Sequence, residues 1–430
     1  MTAPEQAPVT AAARDADPRT GWENRTVLVA TAVIAVHVVD DNFVQPEPGM
    51  SAGDHLLSGL VPLAALAFAA AAYGRLRAGA RAVVAICLGL FGITVSSEGW
   101  YYLILVGPSG DDYTGLAALP AGIVLLAVGV VTLWRSRRLD ERWRRRYPRR
   151  AVIAFVAFVA VLEVVYPIVY AYGNTHLARA VVPAPDLGAT HENVSFRTSD
   201  GLRLVGWYVP SRNRAAVISF PGRERPQEHA RLLVRHGYGA LVFDRRGEGE
   251  SEGEPNSFGW GGDADLKAAV DFLADRPDVD PGRIGAIGFS VGGEMLLETA
   301  AEIPGLSAVV SEGAGIRSIR ERLRAADATT WALLPMHALT TTGTALFSNT
   351  APPPDLTELV GQIAPTPVFL IHAEHGQGGE ELNPVYHDAA QEPKMIWRVP
   401  GSVHTEGILA QPARYEQRVV DFFDAALPAP

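Results

Sequence analysis

The chain has 430 residues, 48% of them hydrophobic and 20% charged, and 47 acidic against 37 basic side chains leave a net charge of −10. That balance argues against a nucleic-acid partner, which needs a basic surface, and the single cysteine, Cys87, excludes a disulfide within the chain or a cysteine metal cluster. The length allows two or three domains, and the composition shifts near residue 175 from small and aliphatic to evenly charged.

Residues 1–25 read as a disordered cytoplasmic tail rich in Ala, Pro and Thr. A signal peptide is not expected, because the first apolar run begins only near Thr26. Five membrane-length stretches follow at 26–44, 56–73, 82–106, 115–134 and 151–172, so a transmembrane region of five helices is expected over 26–174. The second connection carries Arg75, Arg77 and Arg81, and the fourth carries nine arginines from Arg135 to Arg150. The first and third are acidic instead, with Asp40, Asp41, Glu47 and Asp54, then Asp111 and Asp112. Positive charge stays inside, which puts the N-terminus and both arginine loops in the cytoplasm. An odd number of spans then leaves everything beyond residue 172 outside the cell membrane. The ionisable residues within the spans are His37, Asp40, Asp41, Glu98 and Glu163. Interhelical hydrogen bonding or a ligand-handling role accounts for such groups.

Residues 175–190 form a proline-bearing linker, and 191–428 alternate between strand and helix patterns. Strands are expected at 193–198, 202–210, 215–220, 239–243, 284–288, 306–311, 366–371 and 394–399. Helices are expected at 226–236, 263–275, from Gly292 onward, 383–391 and 412–426. This alternation predicts a mostly parallel sheet covered on both faces. Between the strand at 284–288 and the helix after it lies Gly288-Phe289-Ser290-Val291-Gly292, a G-x-S-x-G. Such a turn lifts the Ser290 hydroxyl out of the sheet, and its glycines avoid collisions that side chains would cause. The Val291 amide then faces developing negative charge at a helix N-terminus.

Four motifs together, GFSVGG around Ser290, FDRRGEGES from Phe243, PGR after Phe220 and VPGSVHTEG around His404, carry a family resemblance. Residues of about 190–428 resemble the α/β-hydrolase fold, and within it dienelactone-hydrolase-like and prolyl-oligopeptidase-like serine hydrolases. The resemblance implies an α/β domain with a mostly parallel eight-stranded sheet, Ser290 as nucleophile and His404 as general base. It implies backbone amides of Val291 and Arg223 as the oxyanion hole, although Pro221 stands where the family more often has His. The family's acid is an Asp after the seventh strand, and the loop from His372 to Glu381 contains none. Counting back from the next helix favours Glu374 as the acid, with Glu380 and Glu381 as alternatives. Residues 317–365 fall where the fold commonly holds a cap, whose apolar content suits an acyl group. His372 and His375 are expected to do no more than line the site. No metal or organic cofactor is implied.

The expectation is therefore a membrane-anchored serine hydrolase that cleaves a carboxylic ester, thioester or amide of a small-molecule or lipid-like acyl substrate, surrounded by membrane lipids. Two rival readings are a membrane sensor or transport component with an inactive hydrolase-like domain, and an acyltransferase.

Overall fold

The computed structural model describes residues 18–105, 107, 113–135, 143–224, 226–324 and 328–429. Most of the expected tail, Asp111 and Asp112, and residues 136–142 of the arginine-rich connection lie outside the described residues.

Among the described residues, five helices are long and apolar enough to cross a membrane: Gly21–Val44, Leu56–Tyr73, Ala78–Val95, Tyr113–Arg135 and Tyr147–Thr175. The third is shorter than the apolar run read at 82–106. It ends at Val95, and beyond Ser96 a separate helix, Ser97–Leu105, takes the remainder. Two side chains account for the break. His37 Nε2 takes up the Val95 carbonyl at 2.8 Å, and Ser96 Oγ donates to the Ile93 carbonyl at 2.9 Å. The third and fourth spans approach backbone to backbone. A Cβ on Gly122 would lie 2.9 Å from the Gly89 carbonyl oxygen, and one on Gly129 would lie 2.8 Å from that of Ala82. Small residues at such a seam replace the missing hydrophobic drive between helices in lipid. Val29, Phe68, Ile123, Val130, Phe155 and Phe158 point outward and are exposed, as lipid-facing side chains would be.

The second half is a sheet of eight strands: β1 (Glu192–Arg197), β2 (Arg203–Val209), β3 (Ala216–Phe220), β4 (Gly239–Phe243), β5 (Ile284–Phe289), β6 (Ala308–Glu312), β7 (Val368–His375) and β8 (Lys394–Val403). Their order is β1-β2-β4-β3-β5-β6-β7-β8. The first two pairings, β1 with β2 and β2 with β4, are antiparallel, and all others are parallel. Alternate residues of the central strands enter two cores, as the pleat requires. Ile218, Leu241, Val309 and Leu370 pack on one face, and Val217, Ile287, Val310 and Phe369 on the other.

Two strands overrun their expected ends. β7 continues past Ile371 to His375, and β8 continues past Val399 to Val403. An irregularity between Ala373 and His375 lets the ladder resume, with His375 opposite Val403 beyond Pro400 and Gly401. Within the interval 317–365, Leu334–Phe347 is one helix that runs through Thr340, Thr341 and Thr342. The Thr340 hydroxyl bonds back to the Met336 carbonyl (3.0 Å) and the Thr342 hydroxyl to Ala338 (2.8 Å), so these polar groups are satisfied within the helix.

The two halves meet through polar contacts. Arg179 pairs with Glu47 at 2.6 Å and donates to the carbonyls of Ser251 and Gly253. His55 contacts Glu254 at 2.8 Å, and the Ser257 amide donates to the Asn174 carbonyl at 3.0 Å. The loop between the first two spans thus grips the end of FDRRGEGES and the segment after it.

Candidate active site

β5 delivers Ser290 to the start of the helix Val291–Glu302, with φ +52° and ψ −124° at the serine. That left-handed conformation is costly for a side-chain-bearing residue and persists only where its surroundings impose it. The flanking glycines show how. A Cβ on Gly288 would lie 2.5 Å from the Gly292 carbonyl oxygen, and one on Gly292 would lie 3.0 Å from that of Phe220. The Ser290 amide donates to the Glu312 carbonyl at 2.8 Å, tying the turn to β6.

His404 follows β8 directly, and its Nε2 lies 2.8 Å from Ser290 Oγ. On the other side of the ring, Nδ1 bonds Glu380 Oε1. Glu380 is buried and opens the short turn Glu380–Leu382. Its second oxygen accepts the Ala373 amide at 2.8 Å. Burial alone would raise this carboxyl, but the bonds from His404 and Ala373 outweigh it and hold it below the usual range.

Glu374, the acid favoured by counting, is elsewhere. Because β7 runs to His375, Glu374 belongs to that strand, where it accepts the Gly401 amide at 2.8 Å and pairs with Arg398 at 3.2 Å. Glu381, the next residue in the turn, is exposed. The structure therefore brings Ser290, His404 and Glu380 together and leaves Glu374 and Glu381 apart.

The wall opposite His404 is built from the two arginine-bearing motifs. Arg223, after Pro221 and Gly222, is buried over the Trp207 ring at 4.9 Å. Its Nε donates to Asp244 at 2.9 Å and a terminal nitrogen reaches Glu250 at 2.7 Å. FDRRGEGES thus holds the turn that carries the Arg223 amide. Two cavities meet at Ser290 and Val291. One, of about 220 Å³, is roofed by the linker at Val181 and Pro183 and walled by Gly222, Arg223 and Asp244. The other, of about 180 Å³, lies under the cap between Phe258, Trp260, Ile316 and the helix Leu334–Phe347.

Sequence reasoning missed Glu312. This buried carboxyl ends β6, accepts the Gly407 amide at 2.9 Å and bonds the Tyr415 hydroxyl. Burial pushes it up to about 7. The signal was available: a glutamate terminating the apolar strand Ala308–Glu312. His372 is buried, which lowers its pKa, and His375 is exposed.

Residues 173–377 match the family model described as X-Pro dipeptidyl-peptidase, the S15 family. That match, the strand order and the strained serine turn agree. The domain has the α/β-hydrolase fold. The chain is 27% identical over 313 residues to a Salmonella typhi protein named YfhR, covering 70% of this chain and all of that one. A polyketide transferase, ATR5 of Stachybotrys chlorohalonatus, is 28% identical over 213 residues, 46% of this chain and 67% of that protein. The solved structure of the Pyrococcus furiosus esterase Pf2001 superposes on 59% of this chain and 98% of its own, with 25% identity and a TM-score of 0.49.

Proposed function

We propose that the protein is a membrane-anchored serine hydrolase that cleaves carboxylic esters outside the cell. One observation carries this reading: Ser290 Oγ, on a strained turn, lies 2.8 Å from an imidazole nitrogen of His404, whose other nitrogen is held by the buried Glu380. In the reaction, Ser290 Oγ attacks the ester carbonyl carbon while His404 Nε2 takes its proton. The carbonyl electrons move onto oxygen, where the amides of Val291 and Arg223 receive the charge at a helix N-terminus. Collapse expels the alcohol, which takes the proton from His404 and leaves an acyl-enzyme. Water then attacks the acyl carbon while His404 accepts its proton, and His404 returns that proton to Ser290 Oγ as the carboxylic acid departs. Glu380 stays ionised, orienting the ring and stabilising the imidazolium.

The anchoring part of the proposal rests on the five apolar helices and on arginine placement. The N-terminus would be cytoplasmic and the hydrolase domain extracytoplasmic. The test is hydrolysis of p-nitrophenyl butyrate by purified full-length protein, with Ser290→Ala and His404→Ala as controls. Each substitution is expected to lower kcat by about 10⁶-fold, to background, without loss of thermal stability. Turnover retained in Ser290→Ala would refute the assignment.

The match to the X-Pro dipeptidyl-peptidase model favours a second substrate class, amides following proline. Comparing kcat/KM for the ester with that for an X-Pro p-nitroanilide separates the two, and the ester is expected to be preferred.

A further inference from the structure

The helix Leu334–Phe347 lines the cavity at Ser290 and also lies along the fifth span. The Met336 amide at its start donates to Glu163 Oε2 at 3.0 Å. Further on, a Cβ at Gly343 would lie 2.9 Å from that of Ala171, and the Phe347 ring meets Tyr172 edge-on at 5.2 Å. Residue numbers rise together on both sides, so the two helices run parallel.

The depth of this contact follows from the span itself. Its apolar stretch starts at Ala151, directly after Arg149 and Arg150, and about 20 residues at about 1.5 Å each cross the hydrocarbon core near Tyr170. Tyr166 and Tyr170, both exposed and stacked at 5.5 Å, mark the outer interface where aromatic rings gather. Glu163 then lies about 10 Å below that boundary, and the start of the cap helix lies beside it. Just before, the helix Ala328–Ala332 presents Trp331, 59% exposed.

The other face of the cap helix is polar. His337, Thr340, Thr341 and Thr344 recur at i, i+3, i+4 and i+7, so they form one stripe, and all four line the 180 Å³ cavity that contains Ser290. A helix seated at the depth of the outer leaflet is therefore one wall of the cavity at the nucleophile. We propose that the substrate is an amphiphilic ester of the outer leaflet, which slides laterally beneath this helix to bring its carbonyl to Ser290. Its acyl chain stays beside the lipid-facing segment while the threonine stripe meets the polar ester group. This rests on the hydrolase reading above and adds the substrate's source.

The full-length protein in phosphatidylcholine vesicles provides the test. In a Cys87→Ser, Trp331→Cys form, a bimane label is expected to be quenched by doxyl groups on lipid acyl chains and little by aqueous iodide. Wild-type protein is expected to hydrolyse vesicle-partitioned p-nitrophenyl palmitate with kcat/KM at least about tenfold above that for p-nitrophenyl acetate, since burying the chain favours the complex. If acetate is turned over while palmitate is neither turned over nor competes, the leaflet source is wrong and the hydrolase reading stands. Quenching of the label by iodide alone overturns the seating of the cap in the same way. If neither ester is turned over and a fluorophosphonate leaves Ser290 unlabelled, both conclusions fall.

Discussion

Glu380 faces two donors at once. One oxygen meets His404 Nδ1 and the other the Ala373 amide, so the carboxylate is fixed before any substrate arrives. Replacing it by Gln leaves the shape and removes the charge that stabilises the imidazolium. Glu380→Gln is expected to lower kcat by about 10⁴-fold on a p-nitrophenyl ester. Glu374→Gln, losing only an exposed pair with Arg398 and a bond to Gly401, is expected to stay within about twofold of wild type. A large loss in Glu374→Gln with Glu380→Gln unaffected would reverse the roles. Ser290 and His404 stood in the sequence inside motifs whose glycines and neighbours leave little choice of position. The acid did not, because its place depends on where β7 stops. An irregularity at Ala373 and pairing beyond Pro400 extend that strand in a way no local pattern shows.

At the scale of elements, Glu312 is a clamp between three of them. It sits at the end of β6, holds the amide of Gly407 and bonds Tyr415 on the helix Pro412–Ala426. Its folded pKa, about 7, exceeds the ordinary 4.5 because it is buried. As pH rises through that window the unfolded carboxyl releases its proton first, so the folded chain binds more protons and loses stability with rising pH. The lowered Glu380 acts in the opposite sense, contributing stability above the unfolded pKa that is lost as pH falls through its folded value. Thermal melting of the detergent-solubilised protein between pH 4.5 and 7 is expected to show a fall for wild type that is shallower in Glu312→Gln, the remainder coming from Glu321, which burial also pushes up to about 7. An unchanged slope in the variant would mean that this carboxyl does not titrate there. Hydropathy located the elements well where one physical pattern dominates, as in the eight strands and in four of the five spans. It failed at Ser96, where His37 from another helix captures a carbonyl. That is a side-chain effect that composition averages away.

At the scale of the whole molecule, the bundle and the hydrolase domain share one working surface. The loop between the first two spans holds Ser251 and Gly253 through Arg179, the end of the fifth span holds Ser257, and the neighbouring Phe258 lines the cavity at Ser290. The change from helices ending at Thr175 to strands beginning at Glu192 coincides with a shift in composition. The contact of the cap helix with the fifth span has no such signal in the sequence, since it joins residues such as Glu163 and Met336 that are far apart in the chain. The orientation of this assembly and the activation of its serine are tested together by labelling intact cells with a membrane-impermeant fluorophosphonate, comparing wild type with Ser290→Ala. Labelling of wild type without permeabilisation, absent in Ser290→Ala, is the predicted result. Failure to label wild-type protein even in permeabilised cells would contradict an activated serine, and labelling only after permeabilisation would contradict the outward-facing domain.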